Sequence, residues 1–177
     1  MKIETIKASK HSYKVDSKGR AVTRDKSKVK YIVIHYTGGN GDTARNEGAY
    51  FKERNIRYSG AHFFVDRQGN IVKSVPMNYT AWSVGGKEYS NCAKTGGGKK
   101  YRICTNANSV SIELCDIVKH EPSEEQINAT KWLIGWIRKN GCKNATNIIR
   151  HFDVTGKPCP ARYVDDDKWT DFKKKIS

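Results

Sequence analysis

Lys30-Tyr31-Ile32-Val33-Ile34-His35-Tyr36, closed at once by Thr37-Gly38-Gly39-Asn40-Gly41, is the stretch on which the fold turns. Its β-branched and aromatic residues, followed by a turn-forming cluster, predict a buried central strand that ends in a histidine. Beyond the turn, Asp42 can cap a helix running to about Asn55, with Ala44, Gly48, Ala49 and Phe51 on one side. Residues 62–66 and 71–75 flank Arg67-Gln68-Gly69-Asn70 and predict a hairpin that Pro76 ends. Residues 87–108 carry Gly96-Gly97-Gly98, several lysines and few large apolar side chains, which predicts a long exposed loop serving as a lid or rim. A strand over 110–115 follows, placing Val110, Ile112 and Leu114 on one face and Ser111, Glu113 and Cys115 on the other.

Ser123-Glu124-Glu125-Gln126 has the form of a capping box and opens a helix that Gly141 can close. Ile127, Ile134 and Ile137 supply its core face, widened by Trp132, Leu133 and Trp136. Residues 147–151 predict a further strand, again ending in a histidine. A last helix, from about Asp165 to Lys175, begins with acids and ends with lysines, in accord with the helix dipole. Strands interleaved with helices predict an α/β fold, a central mixed β-sheet flanked by helices.

Composition narrows the class. With 33 Lys+Arg against 18 Asp+Glu, 37% hydrophobic and 29% charged residues, the 177-residue chain reads as one packed domain over 1–177, neither fibrous nor disordered. Folding at this length buries roughly 70% of the unfolded surface, so any metal serves chemistry and not stability. The longest apolar runs, 31–34 and 132–137, fall far short of the ~20 residues that span a bilayer, so no membrane insertion is expected. Met1-Lys2-Ile3-Glu4-Thr5-Ile6-Lys7 is charged from the start and does not read as a secretory signal, which implies synthesis in the cytoplasm. The five cysteines, odd in number and irregularly spaced, are expected as reduced thiols. Cys92 and Cys104 flank the glycine-rich loop and could pair if oxidised, although nothing in their spacing demands it.

Chemistry concentrates where strands end. His35 and His151 close two strands, and Cys159 lies eight residues beyond the second within His151-Phe152-Asp153-Val154-Thr155-Gly156-Lys157-Pro158-Cys159-Pro160. Imidazole nitrogen and thiolate sulfur are zinc donors, and three protein ligands leave a fourth tetrahedral position, the catalytic arrangement. Spacing alone leaves open the plainer alternative that each histidine is a hydrogen-bonded strand-end residue. Glu113, an acid inside an apolar strand, is partnered, exposed, or a general base. Lys157 is a solvated surface cation or a stabiliser of a developing oxyanion.

Taken together, Tyr31-Ile32-Val33-Ile34-His35-Tyr36-Thr37, Gly60-Ala61-His62-Phe63-Phe64-Val65-Asp66, Thr80-Ala81-Trp82, Asn108-Ser109-Val110-Ser111-Ile112-Glu113-Leu114 and 151–160 resemble the type 2 N-acetylmuramoyl-L-alanine amidases. This is the zinc family that includes phage endolysins and peptidoglycan recognition proteins. The segments run in family order across about residues 30–172. The resemblance implies a zinc site at one edge of the sheet, with Zn2+ held by His35, His151 and Cys159. It also implies hydrolysis of the lactyl amide joining muramic acid to L-alanine in peptidoglycan, Lys157 steadying the oxyanion and Glu113 standing where the endolysin branch has its acid. Other branches carry a tyrosine directly before the position of His62; Ala61 occupies it here, so more of the proton transfer falls on Glu113. Trp82, Asn108 and His62 are the candidate substrate contacts, against buried-tryptophan, turn and packing roles respectively.

Two other classes compete. A pI near 9.6 is also the footprint of nucleic-acid binders, but the cations are scattered and no reader motif interleaves them with aromatics, so no nucleic-acid partner is expected. Attraction to anionic wall polymers is a better use of the +15 charge. A non-catalytic peptidoglycan-binding module would lack a zinc ligand, usually the cysteine, whereas Cys159 is present. A phage or prophage endolysin, monomeric and released to the wall by lysis or holin-type pores, is the expectation. Endolysins of this kind often append a wall-binding module; none is seen after Lys173-Lys174-Lys175, so either charge substitutes for it or these residues are the catalytic part of a longer protein.

Overall fold

Six strands and five helices follow one another in a computed structural model that describes residues 1–177. They are β1 (Ile3–Thr5), β2 (Tyr31–Tyr36), α1 (Ala44–Glu53), β3 (Phe63–Val65), β4 (Ile71–Lys73), α2 (Cys92–Thr95), β5 (Ser109–Leu114), α3 (Glu124–Lys139), β6 (Asn147–Arg150), α4 (His151–Thr155) and α5 (Asp166–Ile176). The strands form one sheet in the order β1-β4-β3-β5-β2-β6. β2 runs parallel to both β5 and β6, β5 parallel to β3, and the β3–β4 hairpin supplies the antiparallel pair that makes the sheet mixed. β1, parallel to β4 at the sheet edge, has no counterpart in the sequence reading. Its three residues Ile3-Glu4-Thr5 are largely exposed and too few to show a hydrophobic period.

The two-residue period of the strands sorts the core into two faces. Ile32 and Ile34 of β2, Val110, Ile112 and Leu114 of β5, and Ile148 of β6 join the larger cluster, which α3 and α5 cover with Ala129, Leu133, Ile134, Ile137, Trp169, Phe172 and Ile176. Tyr31, Val33 and Ile149 point the other way, where Val84, Cys104 and Val154 cover them. Phe64 and Cys115 share that second side with Ala44 of α1. By the same alternation His35 follows Val33, Glu113 follows Ser111, and residue 151 follows Ile149. The second face is therefore where candidate chemistry collects.

Helix ends refine three of the expectations. Thr43, not Asp42, caps α1, its hydroxyl accepting from the Asn46 amide at 3.2 Å, while Asp42 accepts from the Asp116 amide at 2.7 Å. Only half of the capping box forms at α3: Ser123 accepts from the Gln126 amide, but the Gln126 side chain donates to the carbonyls of Val65 (2.8 Å) and Cys115 (2.9 Å). Fully buried Gln126 thus ties α3 to the ends of β3 and β5, where unpaired carbonyls would cost more than a missing cap. His151 is the first residue of α4 and not the last of a strand, because the Asp153 carboxylate accepts from the Arg150 amide at 2.8 Å and starts the helix there.

The stretch 87–108, expected as an exposed loop, is a strap fastened to α4. Backbone amides of Tyr89, Gly98 and Lys100 donate to the carbonyls of Thr155 (2.8 Å), Phe152 (3.0 Å) and Asp153 (2.7 Å). Gly97 permits the contact, since a Cβ there would lie 2.7 Å from the Gly156 Cα. All five cysteines are free.

Candidate metal centre and its cleft

Register brings three donors together. His35 of β2 lies beside Glu113 in the β2–β5 pairing, and Ile34 beside Arg150 in the β2–β6 pairing, so the next residue, His151, emerges next to His35. The two imidazole centroids are 4.7 Å apart. Cys159 returns over them: the Phe152 amide donates to its carbonyl at 2.9 Å, and its sulfur lies 3.7 Å from His35 Nδ1. One donor atom from each of His35, His151 and Cys159 falls within 4.8 Å of the others, and all three residues are buried.

Arg150 holds this arrangement and was not singled out by the sequence reading. Only 3% exposed, its guanidinium donates to Asp153, to the carbonyls of Tyr163 (2.7 Å) and Val164 (3.2 Å), and to Asp166 (2.8 Å). It thereby clamps the residues just after Cys159 onto α4. These partners raise the Arg150 pKa above its ordinary value despite burial. Replacing it with Met strands the Asp153 carboxylate, so Arg150→Met should cost about 3 kcal/mol, read from urea unfolding midpoints. A cost near zero would show that the clamp carries no stability.

The donor set fits a divalent metal. His35 Nε2 and both ring nitrogens of His151 are buried without a hydrogen-bond partner, an uncommon state for polar atoms unless a ligand satisfies them. Burial above all depresses both histidines, helped at His35 by His151 and then Lys157 and at His151 by Lys157, His151 to about 4 and His35 well below 6.5, so each imidazole is neutral and free to donate a lone pair. Burial likewise pushes the Cys159 thiol up to about 12. Two nitrogens and one sulfur are the donors a borderline-soft cation prefers.

Glu113 stands at the rim of this cluster, Oε1 3.9 Å from His35 Nδ1 and Oε2 without a partner. Burial pushes it up to about 8; Lys157 opposes the shift, while Glu47 and Asp42 add to it. A carboxyl held near neutrality exchanges protons readily in the physiological range. Lys157 is exposed and lines a cleft of about 680 Å3 whose floor includes His151 and Thr155.

The cleft separates the candidate substrate contacts. Trp82 lines it. Asn108 does not: its side chain accepts from the Thr105 amide and donates to the Ile103 carbonyl, completing a local turn. Asn106 lines it instead, its Oδ1 accepting from the Ser83 and Val84 amides at 3.0 and 2.8 Å and holding the wall in place. His62, expected as a substrate contact, is instead 0% exposed and does not line the cleft. The Ser111 amide donates to its Nδ1, while its Nε2 lies 2.9 Å from Arg24 Nη2 and 3.2 Å from the Tyr79 carbonyl.

Burial and the Arg24 charge hold His62 well below 6.5. A histidine depressed by folding contributes stability that is complete above the unfolded value and lost as pH falls toward the folded one. Melting temperature should therefore drop progressively below about pH 6.5, and His62→Gln should reduce that slope, with His35 and His151 supplying the rest; an unchanged slope would show that His62 contributes nothing to it.

Comparison with known proteins follows the same lines. Residues 25–162 match the family described as N-acetylmuramoyl-L-alanine amidase. N-acetylmuramoyl-L-alanine amidase CwlL of Bacillus licheniformis is 35% identical over 158 residues, covering 84% of this chain and 41% of that protein. N-acetylmuramoyl-L-alanine amidase BlyA of Bacillus subtilis (strain 168) is 31% identical with the same coverage. The chain thus spans about two fifths of the length of these relatives. Among solved structures, the catalytic domain of XlyA superposes with a TM-score of 0.71 at 21% identity over 100% of both chains. PlyL superposes with a TM-score of 0.71 at 22% identity, covering 100% of this chain and 98% of that one. These two likenesses establish a shared fold.

Proposed function

Because this chain belongs to the N-acetylmuramoyl-L-alanine amidase family, we propose that it hydrolyses the amide between N-acetylmuramic acid and L-alanine in bacterial peptidoglycan. The reading includes zinc held by His35, His151 and Cys159. The observation that carries it is the convergence of those three buried donors beside Glu113. Zinc bound there would supply a Lewis acid that polarises the scissile carbonyl and makes water acidic.

The residues of the chain do the rest. Glu113 takes a proton from the attacking water and delivers it to the nitrogen of L-alanine as the C–N bond breaks, leaving a lactyl carboxylate and a free amino terminus. The Lys157 ammonium, facing the same cleft, balances the charge that builds on the carbonyl oxygen during attack. Trp82 and Asn106 shape the wall against which the substrate lies. Residues 1–177 act as a single catalytic domain, supported by one sheet whose two faces account for the core. The reading takes the protein to act as a monomer.

In this reading the protein is a phage- or prophage-type endolysin that reaches the wall after release by lysis or pores; no helix is long and apolar enough to cross a membrane. Its +15 charge draws it to anionic wall polymers. Raising salt from 0.05 to 0.5 M should then weaken binding to purified walls about tenfold or more, as the screening length shrinks; binding indifferent to salt would remove the electrostatic part of the reading. The activity itself is tested by digesting purified walls and identifying the new ends. New L-alanine amino termini without new reducing sugars are expected, whereas reducing ends would identify a glycosidase.

A further inference from the structure

The cleft beside His151 has lysines and no acid in its lining. Lys87 and Lys157 both line it, together with the aromatic rings of Tyr58, Trp82 and Tyr89, and no Asp or Glu does. Lys87 lies at the start of the strap, two residues before Tyr89, whose amide is bonded to the Thr155 carbonyl at 2.8 Å. Thr155 itself belongs to the cleft lining. The backbone two residues beyond Lys87 is thus anchored to the helix that carries His151. The neighbouring acid, Glu88, turns toward Gly98, where a Cβ would lie 2.6 Å from its Oε1, and is not part of the cleft. Lys87 has no carboxylate partner within the chain.

On the amidase reading, one of two halves of the substrate lies here. The muramic acid half spends its only carboxyl in the scissile amide and is otherwise neutral. The peptide half carries carboxylates that are either free or amidated. Lys157 acts on Glu113 and is committed to the scissile carbonyl, so Lys87, in the lining and without a carboxylate partner, is the cation left to complement the peptide half. We propose that Lys87 is a specificity-determining residue that pairs with a free carboxylate on the stem peptide next to L-alanine, so that the enzyme distinguishes free-acid from amidated stems. Lys87 is exposed, so the pair is an open one whose discrimination rests on charge, and added salt should narrow it.

The test uses two soluble N-acetylmuramoyl peptides that differ only in a carboxylate or a carboxamide on the residue after L-alanine. The zinc-loaded full chain should cleave the acid about tenfold more efficiently in kcat/KM, chiefly through KM. Lys87→Gln should bring the ratio near one and Lys87→Arg should keep it. Lys94→Gln, a cation of the same strap outside the cleft, should also keep it. In parallel, calorimetric binding of both peptides to a Glu113→Gln protein should show the same preference and its loss on adding Lys87→Gln. Equal cleavage and equal binding of the two peptides by the parent, or a preference that survives Lys87→Gln, overturns the proposal. If neither peptide is cleaved, the amidase reading fails, and the calorimetric ratio still decides the role of Lys87.

Discussion

Replacing Glu113 with glutamine lowers wall hydrolysis by roughly 10²–10⁴-fold, the range spanned by a positioned general acid–base group, while the fold survives. The side chain is 19% exposed and burial already pushes its carboxyl up to about 8, so the amide substitutes for a group that folding prefers uncharged. Glutamine keeps the volume and removes the ionisable carboxyl. Its melting temperature should stay close to the parent value, and its zinc content should be unchanged, because Glu113 lies outside the three-donor cluster. The parent's rate of releasing L-alanine amino termini, compared with the variant's, reads the effect. A variant retaining more than about a tenth of that rate would show that the proton travels by another route. Asp42 and Glu47 would then be the acids to examine, since both act on Glu113 electrostatically and Glu47 is itself pushed up to about 7 by burial and by Asp42.

Cys159→Ser has the second large effect. The sulfur is buried, 3.7 Å from His35 Nδ1, on a residue whose carbonyl accepts from the Phe152 amide. Serine preserves that backbone contact and the size of the side chain, but a hydroxyl does not ionise to a soft donor at neutral pH. Zinc affinity should fall at least about 100-fold, beyond the range seen when only a supporting residue is lost, and wall lysis should fall with it. Excess zinc should restore part of the lysis if the histidines still hold the ion weakly. A Cys159→Ser protein that binds stoichiometric zinc and clears walls normally would remove the sulfur from the site.

Much of this arrangement could be read from the residues. The two-residue period of β5 set Glu113 on the face opposite Val110, Ile112 and Leu114, and the structure puts it beside His35 in register. The core face of α3 followed from its apolar spacing, and the acid-to-lysine gradient of α5 marked that helix to within a residue at each end. What escaped depended on partners distant in sequence. His62 reads as a hairpin histidine until Arg24, 38 residues earlier, is found against its ring. Gln126 matches the capping motif, yet the carbonyls of Val65 and Cys115 claim its amide. Asn106 and Asn108 sit in the same short turn, and only the direction of each side chain decides which one shapes the cleft. Arg150 looked like one more strand residue in a basic chain; its role follows from Asp153, Tyr163 and Asp166 closing around it. The strap was hidden for a similar reason, since glycines that suggest an open loop instead permit close approach to α4.

The most direct test is the coordination shell of the metal-loaded protein, measured by X-ray absorption at the zinc edge after dialysis. One sulfur and two imidazole nitrogens around a stoichiometric ion is the expected result. A shell without sulfur, or a protein that retains no zinc yet still clears bacterial walls at full rate, would contradict it.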